Sequence, residues 1–86
     1  MEMKYYIVYG NWKPELFQDP DGVNKAMEEW SKVIEKAGLK VKFWGSPLGI
    51  TKTSVCVYKG SPDSFTKIPF GQAPYTDTKT HVVMKI

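Results

Sequence analysis

Few side chains in this sequence offer reactive chemistry: one histidine, His81, and one cysteine, Cys56, set among tyrosines and nine carboxylates. A structural zinc site takes four nitrogen or sulfur ligands. With no CxxC pair and no second histidine, the chain does not supply them. A mixed metal site would need His81 beside Asp77 or Cys56, and no metal is expected. A Cys–His nucleophilic pair would need Cys56 and His81 within hydrogen-bond reach. The two fall on different strands that share a sheet face with another strand between them, so Cys56 reads as a small buried hydrophobe. His81 reads first as a hydrogen-bonded sheet histidine at a strand start; in a functional reading its imidazole is the candidate general base or pocket donor, with Tyr58 or Tyr6 beside it. The glycines at 45, 49, 60 and 71 form neither a Walker nor a dinucleotide pattern. Twelve lysines and no arginine give the net charge of +3. The lack of guanidinium argues against bidentate clamping of phosphate, carboxylate or guanine.

These residues are positioned by a short series of elements. The strongest is the stretch Asp19–Gly38, in which Val23, Ala26, Met27, Trp30, Val33, Ile34 and Ala37 form one apolar stripe at helical spacing. Asp19 is the expected cap, Pro20 the first helical residue, and Gly38 the left-handed stop. Glu28, Glu29 and the other charges occupy the outer face, where they read as solvated groups. Before this helix, Lys4–Tyr9 is a strand with apolar residues on both parities, followed by a loop over Gly10–Gln18 in which Trp12 and Phe17 close the end of the core. After it, Leu39–Trp44 alternates as a strand, Gly45–Gly49 turns, and Thr53–Lys59 is a third strand. Ser61 and Pro62 start a short helix through Phe65 and Ile68. Phe70–Lys79 reads as a loop, and Thr80–Ile86 as the last strand.

The order βαββαβ over residues 1–86 describes a single α+β domain, a ferredoxin-like sandwich with a four-stranded antiparallel sheet and both helices on one face. A chain of this size buries roughly 60–65% of its unfolded surface, enough to fold alone with modest stability. Alternation predicts that Leu39, Val41, Phe43, Val55, Val57, Val82, Met84 and Ile86 face the helices. The reverse face then carries Lys40, Lys42, Trp44, Cys56, Tyr58, His81, Val83 and Lys85. With its aromatic residues, that reverse face is expected to meet something. With one cysteine, no long apolar run and no signal peptide, the expected location is cytoplasmic, away from membranes.

The pattern resembles the dimeric α+β-barrel superfamily, which includes stress-responsive barrel proteins, EthD-like proteins and cofactor-independent antibiotic-biosynthesis monooxygenases. The resemblance rests on Met3–Tyr9 running into Trp12-Lys13-Pro14-Glu15, on Gly38-Leu39-Lys40-Val41, and on Tyr58-Lys59-Gly60-Ser61-Pro62-Asp63-Ser64-Phe65. It implies a homodimer whose sheets pack face to face, and a cavity between sheet and helices that takes a small apolar or aromatic ligand. The matching lining is Tyr6, Trp12, Trp44, Tyr58, Tyr75 and His81. The arginine that some of those monooxygenases use is missing here, and no catalytic residue carries over.

The leading expectation is therefore a small homodimeric barrel protein that binds an apolar or aromatic ligand or serves as a structural dimer module, with no cofactor. The alternative is an oxygenase or isomerase, equally free of cofactor, acting on an aromatic or polyketide-like compound with His81 as base. A further alternative, RNA binding across an open sheet, comes from the RNA-recognition motif, which has the same element order. Ile7–Trp12 loosely resembles its first-strand signature. Lys52–Tyr58 lacks the glycines and stacking aromatics of the third-strand signature.

Overall fold

A computed structural model describes residues 3–83. Strand β1 spans Lys4–Trp12, helix α1 Gly22–Lys36, β2 Lys40–Gly45, β3 Ser54–Gly60, the single-turn α2 Pro62–Phe65, and β4 Tyr75–Val83. Short 3-10 turns cover Pro14–Gln18 and Phe70–Gln72. The result is an α+β fold with a four-stranded antiparallel sheet in the order β2-β3-β1-β4, compatible with a ferredoxin-like arrangement.

Helix α1 forms where its apolar stripe predicts. Met27, Trp30 and Ile34 are buried, while Val23, Val33 and Ala37 pack at the margins. Burying each of the three central side chains is worth roughly 1.5–3 kcal/mol, so the stripe holds the helix on the sheet. Gly38 takes φ 100°, the left-handed stop expected of it. The start differs from the sequence reading. Asp21, not Asp19, occupies the cap position; Asp19 instead accepts from the Asp21 amide at 2.9 Å and from Lys25 Nζ at 2.8 Å. The salt link to Lys25 is the main cause that lowers the Asp19 carboxyl below its ordinary value, with the Asp21 amide adding to it. At α2 the grammar holds: Ser61 Oγ accepts from the Ser64 amide at 3.2 Å, and Pro62 is the first helical residue.

The sheet corrects the expected facing of its third strand. Ser54, Cys56, Tyr58 and Gly60 of β3 are buried toward the helices, and Val55 and Val57 lie on the reverse face. Direct pairing places Tyr6 against Tyr58 and Val8 against Cys56, so the even positions of β1 share that buried face. Two features fix this choice. Tyr58 buries a larger ring than Val57 and finds partners for its hydroxyl. Gly60 shares its side, where a Cβ would come within 2.7 Å of Leu39 Cγ. The small residue is therefore needed where the chain passes under Leu39.

Irregular pairing in two strands reassigns other residues. A shift between Val41 and Phe43 turns Phe43 to the reverse face, 60% exposed, and brings Trp44 to the helix side against the core. Phe43 was expected inside and Trp44 outside. In β4, Tyr9 pairs with Lys79 while Asn11 pairs with Thr76, so β4 carries an extra residue there. Asp77 in the bulge adopts φ 55°. This extends β4 back to Tyr75, through residues expected to be a loop, and lets both Tyr75 and Val82 sit on the helix side. Val82 nevertheless stays 52% exposed on the edge strand. β1 likewise runs on to Trp12. Trp12 closes the core as expected, but Phe17 is 64% exposed and does not. Met84, Lys85 and Ile86 lie outside the described residues.

Candidate functional site

The helix-facing side of the sheet holds five of the six aromatic residues expected to line a ligand cavity. Tyr6, Trp12, Tyr58 and Tyr75 are buried to 5% exposure or less, and Trp44 packs beside them half-buried. They fill the interior by contact with one another. Tyr6 stacks on Phe65 with ring centroids 4.1 Å apart. Trp12 meets Trp44 edge-on at 6.0 Å and Tyr75 at 6.2 Å, and Trp30 meets Tyr75 at 6.1 Å. Such edge-to-face pairs are the favoured geometry for aromatic quadrupoles.

The polar atoms of this cluster are satisfied internally. Trp30 Nε1 donates to the Tyr58 hydroxyl at 2.6 Å, and the Tyr58 and Tyr75 hydroxyls share a hydrogen bond of 2.6 Å. Trp12 Nε1 donates to Ser46 Oγ at 3.2 Å. Burial, reinforced by the neighbouring Tyr75, pushes the Tyr58 phenol far up, and burial raises Tyr75 as well. Burial also pushes the Cys56 thiol up to about 11, against a smaller opposing pull from its hydrogen bond with Tyr58. A thiol held protonated in this way is a poor nucleophile at neutral pH. The hydroxyl of Ser54 is buried without a protein partner.

His81 stands apart from this set. It pairs across from Ile7, so it projects from the reverse face, while Tyr6, Tyr58 and Cys56 project from the helix side. The expected sharing of one face by Cys56 and His81 is therefore overturned, and with it the nucleophilic pair. The tyrosines expected beside His81 as a general base are separated from it by the thickness of the sheet. Its aromatic neighbour is Tyr9, whose ring it meets edge-on at 5.9 Å and 86°. Among the described residues, no group of three or more His, Cys, Asp or Glu side chains is placed to hold a metal ion.

The reverse face is the second candidate region. Ile7, Val55 and Val57 occupy its centre on the two inner strands, each only half-buried. Around them stand Tyr5, Phe43 and Val83, with Lys59 Nζ lying 5.6 Å from the Tyr5 ring centroid. At one end of this face a groove of about 360 Å³ is lined by Tyr9, Ile50, Thr51, Lys52, Lys79 and His81. Of these, sequence reasoning singled out His81 alone. The pairing of Tyr9 with Lys79 continues the register of Ile7 with His81, one residue before the strand expected from Thr80. No helix of the described residues is long and apolar enough to cross a membrane. Compared with protein-family models, with curated proteins and with solved structures, the chain has no match.

Proposed function

We propose that this chain is a small self-associating module of ferredoxin-like βαββαβ arrangement, in which two copies pack reverse face to reverse face to close an α+β barrel. The observation that carries the reading is the half-exposed aliphatic centre of that face, Ile7, Val55 and Val57, ringed by aromatic and lysine side chains. An apolar centre inside a polar, aromatic rim is the anatomy of a protein interface. The size agrees. Four strands at about 4.8 Å spacing and seven residues at about 3.3 Å rise span on the order of 450 Å² in projection, and side-chain relief adds to that. A standard interface buries about 800 Å² of accessible surface per partner. The same aliphatic centre speaks against nucleic acid, since Val55 and Val57 offer no flat ring on which a base would stack.

The packed interior favours the structural half of this reading over a ligand held between sheet and helices. Tyr6, Trp12, Tyr58 and Tyr75 occupy that space, and the Tyr58 and Tyr75 hydroxyls satisfy each other. The reading assigns no reaction, because His81 lacks the tyrosine neighbours that a base role was expected to use.

Mixing isotope-labelled with unlabelled chains tests the interface directly. Intermolecular contacts between methyl groups of Ile7 and Val57 and the second chain are expected. Contacts confined to the outer surface of α1, or none at micromolar concentration, would contradict the reading.

A further inference from the structure

The groove at the end of the reverse face has a chemistry of its own, and it is built from one chain, so it goes beyond self-association. The sheet supplies the half-buried Tyr9 ring, the edge-on imidazole of His81 and the Lys79 side chain, and the loop before β3 supplies Thr51, Lys52 and Ile50, which leaves 52% of its surface exposed. Lys79 pairs directly across from Tyr9, and Lys52 reaches over from the loop before β3. Lys52 Nζ donates to the Asp77 carbonyl at 2.6 Å, which fixes its ammonium at the groove without neutralising it.

Neither lysine forms an ion pair among the described residues. The carboxylate of Asp77, the residue whose carbonyl Lys52 holds, accepts from Asn11 Nδ2 at 3.4 Å. Thr51 and the Tyr9 hydroxyl add neutral polar groups. The tethered ammonium of Lys52 and the exposed side chain of Lys79 beside a ring-lined slot, with no carboxylate among the lining residues, make a positive site. Ammonium is a point-charge partner suited to a single carboxylate group. The volume lies at the small end of the ligand-site range of about 300–1,000 Å³.

We propose that this groove binds a small planar aromatic carboxylate, its ring laid against Tyr9, His81 and Ile50 and its carboxylate between Lys52 and Lys79. The test uses a naphthoate as probe and the corresponding naphthamide as its uncharged twin. Titration calorimetry is read together with amide shifts on the full chain. Charge attraction near a surface adds to the ring contact, so the naphthoate is expected to bind about tenfold or more tightly than the naphthamide. Shifts should centre on Tyr9, Ile50 and Lys79. Lys79→Gln and Ile50→Ser should each weaken binding severalfold, while Lys67→Gln, on the far side beyond α2, leaves it unchanged. Lys52→Gln is a second charge variant, since losing its bond to Asp77 also affects the loop.

Equal binding of the two probes, shifts centred elsewhere, or an unchanged affinity in Lys79→Gln would overturn the proposal, as would no binding at millimolar probe. Sedimentation in the same samples separates this result from the one above. A monomer that binds the naphthoate removes self-association and leaves the groove standing; a dimer that does not bind it does the reverse.

Discussion

The two faces of the sheet solve opposite problems with similar residues. On the helix side, Tyr58, Tyr75 and Trp30 bury three polar atoms and pair them with one another, so aromatic bulk is admitted without stranding a donor. On the reverse side, Tyr5, Tyr9 and Phe43 keep their rings partly in water, and the aliphatic residues between them have no roof in a single chain. An aromatic residue in a strand thus carries no fixed meaning. What differs is whether the polar tip meets an internal partner, and that depends on which element passes overhead.

Substitutions on the two faces should separate these roles. The largest effect is expected at Tyr58→Ala, which empties the fully buried centre of the helix side and should lower unfolding free energy by about 3–5 kcal/mol, measured by urea denaturation. Tyr58→Phe keeps the ring but leaves Trp30 Nε1 without its acceptor, and the expected loss is about 1–3 kcal/mol. A loss as large as that of Tyr58→Ala would show that the hydroxyl network, not ring volume, holds the core.

Alkaline pH probes the same face through Cys56. Burial raises its folded value, so the unfolded thiol releases its proton around 9.0 while the folded one holds it to about 11. The unfolded state therefore binds fewer protons in that window. The stability linked to Cys56 is whole below pH 9 and falls as pH rises through the window, and the raised tyrosines extend the loss. Urea midpoints at about pH 8 and about pH 10.5 should show the fall. The smallest effect on this face is expected at Ser54→Ala. Its buried hydroxyl has no protein partner, so the change should be neutral or slightly stabilising in the same assay.

Part of this division was legible in the sequence. The stripe from Val23 to Ala37, the stop at Gly38 and the Ser61–Pro62 start depend on neighbours within a turn or two, and local spacing specifies them. The facing of β3 was not legible. Val55 and Val57 alternate as well as Cys56 and Tyr58 do, and both sets satisfy a strand pattern. The choice rests on partners distant in the chain: Trp30 and Tyr75 for the Tyr58 hydroxyl, and Leu39 above Gly60. The first half of β4 was hidden because the bulge at Asp77 breaks the two-residue period. His81 was recognised as a chemical group, yet its surroundings follow from its pairing with Ile7, which no local signal announces.

The reverse face is tested most directly by molar mass in solution. Sedimentation equilibrium at micromolar concentration is expected to give twice the 9.8 kDa of the chain. In Val57→Lys, a charge placed at the centre of that face should return the mass to that of one chain while leaving the monomer folded, with a melting midpoint that no longer rises with concentration. A wild-type chain that sediments as a monomer, or a Val57→Lys variant that stays dimeric, would contradict the account.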